Sequence, residues 1–452
     1  MNSLSQYLEL YRLNRQTIDA GSAEPLNRLR QEAFEQLTNG ARLPQRGDEG
    51  YERTSVEEML SGDYGLNIGR IAIPADVAAS FRCDVPNMST LLGVVVNDSF
   101  HGVRGLQDRL PEGVIFSSIR SVAERRPELV KRYYNTVVPM TNAAAALNTM
   151  LVQEGVMVYV PRGVKLEKPL QLVNIFSSPT SLMAPRRLLV VLEEDAEAQL
   201  LVCDHTQDST TDYLSSQVVE IILADGARFD YYDIEESSPR TIRHSQIFAR
   251  QHSRSNLLVN AMTLTCGQTR NDFSIDVSGS RCETTLSGMA IGSGEMKVDN
   301  SVVLRHLADH CQSRQLFKYV LDEKSSGAFG GLILVTPDAP FTDAYQTNRN
   351  MLASDDARMH TKPQLEIYND EVKCSHGATT GQLDAEALFY MQTRGIPIEE
   401  ARKMLMQAFM ADVIDTVRME GLRDRLRHLV EKRFSGQAGC DSCAASTCQK
   451  KD

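Results

Sequence analysis

The sequence predicts a mainly β protein: a core of stacked short strands, read as a β-helix, between α-helical segments at the two ends of its 452 residues. Three observations lead there. From Glu154 onward, over about a dozen strand-like runs follow one another across roughly 220 residues, with no helical periodicity between them. Within that stretch Leu192-Glu193-Glu194-Asp195-Ala196-Glu197-Ala198 is echoed about thirty positions on by Leu223-Ala224-Asp225-Gly226-Ala227-Arg228-Phe229, each a strand, a tight acidic turn and a second strand. Helical spacing is confined to the two ends. A sandwich or barrel also accommodates the repeat, but the number of strands exceeds that of one ordinary sandwich. A solenoid, in which each coil buries its apolar positions only against its neighbours, is preferred.

Residues 1–153 read as a mostly helical unit. Leu4, Leu8 and Tyr11 share a face of a first helix, and Pro25 opens a second carrying Leu26, Leu29, Ala33, Phe34 and Leu37. Pro44, Gly47, Gly50 and Gly65 punctuate a loop-rich stretch with one short helix over 56–60. Short strands follow at 91–96 and 114–117, and helices are expected over 121–134 and 141–153. Residues 154–383 hold the strands. In the last strand read before the C-terminal helices, 364–368, Leu365 and Ile367 share one face and Gln364, Glu366 and Tyr368 the other.

Residues 384–434 return to helix. Asp384 caps the first, Gly395 stops it, and Pro397 opens the next with Glu399 and Glu400 at the positive end of its dipole. In that helix Ala401, Met404, Leu405, Ala408 and Phe409 form an i, i+3, i+4 stripe, read as core or as a docking face. Leu422, Leu426 and Leu429 mark the last helix. The tail, 435–452, is small and polar and reads as disordered.

The net charge of −11 argues against a nucleic-acid groove. The longest apolar runs, such as 188–192, are too short to span a bilayer, and the N-terminus lacks a basic-then-apolar leader. A cytoplasmic protein is expected, without membrane or nucleic-acid partners, its nine cysteines reduced thiols rather than a disulfide framework. P-loop, H-E-x-x-H, G-x-S-x-G and paired-carboxylate signatures are all missing, so no catalytic residue is assigned. Gly288, Gly292 and Gly294 lack the dinucleotide spacing and read as turn glycines.

Three clusters carry candidate chemistry. Lys373-Cys374-Ser375-His376-Gly377 lies where strand gives way to helix. Cys374 and His376, two apart in extended chain, point the same way, which suits a shared metal or a thiol tuned by an imidazole. Lys373 or a protonated His376 would promote the thiolate. The plainer alternative is a buried Cys374 and a His376 held by a backbone carbonyl. His306, His310 and Cys311 would bring two imidazoles together only in a helix. The segment reads as a strand running into a turn, so polar residues on a coil edge are preferred there. Cys440-x-x-Cys443-x-x-x-x-Cys448 has a metal or redox core but three thiols where a structural site wants four ligands, leaving transient metal handling or simple oxidation.

Several motifs then form one pattern. Lys362-Pro363-Gln364-Leu365-Glu366-Ile367, Val372-Lys373-Cys374-Ser375-His376-Gly377-Ala378-Thr379, Gly381-Gln382-Leu383-Asp384, Leu388-Phe389-Tyr390 and Thr393-Arg394-Gly395-Ile396 resemble the C-terminal signature of the SufB/SufD family. That family supplies scaffold subunits of the SUF iron–sulfur cluster assembly machine. Gln346-Thr347-Asn348-Arg349-Asn350-Met351-Leu352, Gly327-Ala328-Phe329-Gly330-Gly331 and the stretch from Gly155 to Val164 extend the likeness across most of the chain. Cys374-Ser375-His376-Gly377 resembles the SufD version, whereas SufB carries a C-x-H-E version.

The resemblance implies a right-handed parallel β-helix between helical domains, acting as a non-catalytic scaffold. It implies a heterodimer with a SufB-like subunit through the β-helix edge and a SufC ATPase docked on the C-terminal helices, where Ala401, Met404, Leu405, Ala408 and Phe409 would lie. His376 falls on the family's interface histidine, paired with a partner cysteine, and Cys374 is its neighbour. No cofactor is implied to stay on the isolated chain; iron or a nascent cluster passes transiently, and a reduced flavin is compatible with the complex. The tail thiols Cys440, Cys443 and Cys448 fall outside the family pattern. Two other readings stand beside this one: a SufB-like subunit building the cluster as a homodimer, and a β-helix carbohydrate-active enzyme. The second lacks the expected row of basic and acidic residues on one exposed strand face.

Overall fold

The computed structural model describes residues 3–71, 89–103, 105–207 and 209–435. Cys83, Cys440, Cys443 and Cys448 lie outside the described residues, as does all but the first residue of the tail.

The chain begins with α1 (Ser3–Ala20) and α2 (Glu24–Thr38), the second opened by Pro25 as expected. After α3 (Val56–Met59) come β1 (Gly65–Leu66), β2 (Leu91–Val96), β3 (Ser99–Gly102) and β4 (Ile115–Ser118). The single helix expected over 121–134 is two, α4 (Ile119–Arg125) and α5 (Pro127–Tyr133). Pro127 brings no N–H and disfavours the helical region for the residue before it, and Arg126 sits at φ −139°, ψ 62°. Asn142 caps α6 (Ala143–Leu151) by accepting the Ala145 N–H at 3.0 Å.

The solenoid follows. Its coils are built from β5 (Val156–Val160), β6 (Leu170–Phe176), β7 (Leu182–Leu192), β8 (Glu197–Thr206), β9 (Tyr213–Leu223), β10 (Arg228–Glu236), β11 (Thr241–Gln251) and β12 (Asn256–Thr265). They continue through β13 (Gln268–Val277), β14 (Glu283–Gly292), β15 (Lys297–His306), β16 (Gln312–Leu321), β17 (Ser326–Val335), β18 (Asp343–Leu352), β19 (Arg358–Ile367) and β20 (Lys373–Gln382). Odd-numbered strands from β5 to β19 pair in parallel as one sheet, and even-numbered strands from β6 to β20 as the other. The sequence echo is one coil: Leu192 pairs in register with Leu223, and Ala198 with Phe229.

Most strands are about twice as long as the apolar runs that announce them, because polar side chains also enter the lumen and interrupt the pattern. At one corner each coil turns through a left-handed residue. Asp195, Gly226, Arg254, Arg281, His310 and Phe341 have φ between 55° and 73°, and each donates its N–H to a carbonyl of the following coil. For the five that are not glycine this conformation costs roughly 1 kcal/mol, offset by a hydrogen bond that recurs at every coil. Gly288 and Gly292 are not turn residues. Both lie inside β14, where a Cβ would strike the Phe317 ring or the Leu321 and Ser325 side chains; only Gly294, at φ 60°, turns.

Inward side chains such as Leu200, Phe229, Val259, Phe273, Leu304 and Phe317 fill the lumen, each contributing about 1.5–3 kcal/mol of burial. The outer face of the odd sheet is covered by the N-terminal helices through Tyr11, Leu147 and Met150 over Met183 and Leu214. The even sheet is covered by the C-terminal helices. These are α7 (Ala385–Thr393), α8 (Ile398–Ile414) and α9 (Glu420–Phe434), and Met406, Met410, Val413, Leu422 and Leu426 lie on Leu201, Tyr232, Leu258 and Met289. No helix among the described residues is long and apolar enough to cross a membrane.

Candidate functional site

The last coil is built like the others but, among the described residues, has no coil stacked on it. β20 pairs in register with β18, and β19 with β17; among the described residues neither has a strand on its other side. In β18 the inward row Ala344, Gln346, Asn348 and Asn350 is buried. Register sets Cys374, His376, Ala378 and Thr380 over that row. With no further coil to cover them, His376 is exposed and Cys374 and Ala378 are half-buried. Cys374 and His376 thus share a face, as their spacing predicts, and it is the open mouth of the lumen.

A ladder of amides supports this coil from below. Gln346 Nε2 donates to Gln315 Oε1 at 2.8 Å, while Gln346 Oε1, one strand beneath His376, has no hydrogen-bond partner among the described residues. Asn348 and Asn350 bond each other at 3.0 and 2.7 Å, and Asn350 Nδ2 reaches Thr379 O at 3.2 Å and Thr380 Oγ1 at 3.1 Å. Gly331 makes room, since a Cβ there would overlap the Gln346 amide. The motif 346–350 is therefore an alternating strand whose inward amides tie down the final one, a role its period of two could have indicated.

Cys374 packs beside Leu365 and Val372 on Ile333, Val335, Ala339 and Ala344. Burial pushes its thiol up, against the pull of the Ala344 backbone and with a further push from Asp343. Lys373 alternates to the opposite, outward face, in register with Asp343. The expected promotion of a Cys374 thiolate by Lys373 fails for that reason.

The second cluster does not assemble. His306 is buried in the lumen with Nε2 2.9 Å from Ser313 Oγ, and burial holds it neutral with a pKa of about 4. His310 stands at the exposed corner, its ring 4.6 Å from that of Phe341 and its Nδ1 2.7 Å from Asp309 Oδ2. Cys311 is buried beside Cys282. Among the described residues no group of three or more histidine, cysteine or carboxylate side chains is gathered as a metal site.

The stripe on α8 is divided. Ala401 is buried, Leu405 and Phe409 are half-buried, and Met404 and Ala408 are exposed. The face that holds the helix to the sheet is Met406, Met410, Val413 and Ile414 instead. Of the expected stripe, Met404 and Ala408 are open to solvent, whereas Ala401 is buried and Phe409 packs against the cluster on the even sheet.

Sequence reasoning missed one further feature, a charged network inside the lumen. Arg186 meets Asp204 at 3.1 Å, and Arg243 meets Asp204 at 2.9 Å, Asp233 at 2.5 Å and Glu235 at 3.8 Å. Burial drives the Glu235 carboxyl up to about 7 against the pull of Arg243. From Arg243 a hydrogen-bonded chain runs through Asn271, Asn300 and Tyr319 to the Ala328 carbonyl, with steps of 2.9, 2.8, 2.5 and 2.9 Å. The signal was the parity of Asp233 and Glu235, which continue the inward row of Phe229 and Tyr231.

Residues 175–409 match the family described as "SUF system FeS cluster assembly, SufBD core domain", and residues 1–172 match "SufBD protein N-terminal region". The iron–sulfur cluster assembly protein SufD of Escherichia coli is 31% identical over 405 residues, which cover 88% of this chain and 90% of that protein. An iron–sulfur cluster assembly SufBD family protein of Synechocystis is 27% identical over 437 residues, or 94% and 95% of the two chains. SufD of Bacillus subtilis is 25% identical over 330 residues, or 72% and 75%. Two domain matches spanning nearly the whole solenoid and its helical lead-in, with SufD proteins among the relatives, establish that this chain belongs to the SufBD family of SUF iron–sulfur cluster assembly proteins as a SufD-like member.

Proposed function

We propose that the chain is a non-catalytic scaffold subunit occupying the SufD position of a SUF complex, beside a SufB-like subunit and a SufC-type ATPase. The observation that supports this most is the open last coil. Among the described residues two ten-residue strands have unpaired outer edges, with Phe341 (53% exposed), Tyr345 (41%), Ile367 (40%) and Tyr368 (62%) exposed on the last two coils. Free edges beside apolar rings invite pairing with another chain. A partner solenoid offering its own open coil would complete both sheets by strand addition. His376 then faces the partner, and iron or a nascent cluster is cargo held between chains, with Cys374 as the packed neighbour of the imidazole.

The C-terminal helices suit the second partner. α7 buries none of its residues and exposes Phe389 (67%) and Tyr390 (58%), and α8 exposes Ile398 and Met404. Lys318 anchors α8 to the even sheet through the Phe409 carbonyl at 2.8 Å, the Phe409 ring at 4.7 Å and Asp412, and Arg418 reaches Asp230 at 2.7 Å. Motion of an ATPase on α7 and α8 would be passed through these clamps to the coils.

Co-expression with SufB-like and SufC-type subunits tests the reading. The chain should co-purify with both, and elution alone in the presence of both refutes it. Reconstitution of the isolated chain with iron and sulfide should leave no stable cluster; one that persists favours the SufB-like homodimer.

A further inference from the structure

Cys282 and Cys311 take no part in the site described above. Each lies one residue before a strand, β14 and β16, and the pairing of Glu283 with Gln312 sets the two cysteines side by side on adjacent coils. Adjacent strands run about 4.8 Å apart, within the Cα separation of about 4.4–6.8 Å that a disulfide spans. The Cys282 N–H donates to Cys311 Sγ at 3.5 Å, and both thiols converge on the Gly279 carbonyl at 3.1 and 3.2 Å. The same column holds Ser255 below, its Oγ 3.5 Å from Cys282 Sγ, and Thr342 above.

Both thiols are fully buried, yet each lies directly behind a left-handed corner residue, Arg281 or His310, that is exposed to solvent. The two sulfurs also differ. The contact with Cys311 pulls the Cys282 thiol down against its burial, and the same contact together with burial pushes Cys311 up.

We propose that Cys282 and Cys311 form a redox pair that hydrogen peroxide converts into an intercoil disulfide. The Cys282 thiolate attacks one peroxide oxygen and the O–O bond breaks, leaving a sulfenic acid and, after protonation, one water. The Cys311 sulfur then attacks the sulfenic sulfur; an S–S bond forms, and the departing hydroxide leaves with the Cys311 proton as a second water. Two thiols are oxidised and one peroxide is reduced. The bridge staples neighbouring coils in the middle of the solenoid. The inference does not depend on the proposed partners.

The test uses the full reduced chain, treated with hydrogen peroxide while folded, then alkylated and mapped. The expected result is an intact mass lower by two hydrogens and a linked peptide pair containing Cys282 and Cys311. Tm should rise by about 2–4 °C, and dithiothreitol should reverse both changes. Cys282→Ser removes the link and leaves Cys311 alkylatable, whereas Cys311→Ser leaves Cys282 as a sulfenic acid that dimedone captures. Circular dichroism checks both variants; should either fail to fold, the peptide map of the unaltered chain decides alone. Oxidation of Cys374 without a 282–311 link overturns the proposal, as does a link that forms only in denaturant.

Discussion

The two ends of the solenoid are made from the same unit and have opposite fates. At the N-terminal end β4 runs antiparallel along β5, β2 lies on β6, and β3 folds back on β2, so both sheets are closed by the chain itself. β7 and β9, the odd strands beneath the N-terminal helices, are buried at every position. At the C-terminal end β19 and β20 keep the ten-residue length and register of their neighbours but have no fully buried position. A coil therefore does not bury itself. Its inward row is covered by the next coil, and among the described residues the row of the last coil stays open.

The sealed end is held by charge as well as packing, and breaking it should have the largest effect. Arg187 and Glu220, both fully buried, meet at 2.7 Å under α4–α6, and Arg187 also binds Asn135 at 2.7 Å and Thr149 at 3.1 Å. Arg187→Ala strands the carboxylate and should cost about 3–5 kcal/mol by urea unfolding. Replacing both partners, Arg187→Met with Glu220→Gln, should recover much of that loss. A double variant as unstable as the single one would show that the pair does not act as a unit.

The middle of the solenoid should respond to pH. The folded Glu235 carboxyl titrates near 7, above its unfolded range of about 4. Its contribution is then fully present below about pH 4 and is lost as pH rises through about 7, a fall of order 1–3 kcal/mol. Tm should therefore decline from pH 5 to pH 8 more steeply in the unaltered chain than in Glu235→Gln. Parallel profiles would remove Glu235 as the cause.

The contrast between the ends was only half legible in the sequence. Outward and inward apolar rows made the strands countable, and the pair Leu192 and Leu223 revealed the coil. The break at Arg126 lay in a stretch that otherwise reads as one helix, and only Pro127 marks it. The lumen charges escaped notice because a residue such as Asp233 looks like a surface position unless its strand parity is followed from Phe229. At the site, the period of two placed Cys374 with His376 but also sends Lys373 outward, which rules out the thiol activation their proximity in sequence suggests. That the last coil is open leaves a fainter trace. Thr361, Pro363 and His376 put polar or donor-free positions in inward columns that carry Phe329, Val302 and Leu286 in earlier coils, and a row like that marks an end only once the stacking order is known.

The penultimate coil offers a smaller perturbation. Gly331→Ala pushes the Gln346 amide out of its place beside Gln315 and should cost about 1 kcal/mol, read as a shift of the urea midpoint at unchanged slope. It should also weaken capture of the SufB-like partner, because the displaced ladder supports the strand that carries His376. Lost stability with full partner capture would separate the ladder from the interface.

His376→Ala should change stability least and function most. The imidazole is exposed and belongs to a coil with nothing above it, so in the isolated chain its removal should move the unfolding free energy by no more than about 0.5 kcal/mol. Within the proposed complex the same side chain would face the partner subunit, and its loss should abolish cluster assembly, followed by visible absorbance on iron and sulfide supply, while the subunits still co-elute. A destabilised isolated chain would make His376 a structural residue of the mouth, and unchanged assembly would leave the open coil as a docking edge without chemistry of its own. The two readouts separate because an end left open among the described residues can be altered at little cost to the fold, while the proposed complex, in closing that end, would depend on the side chain it covers.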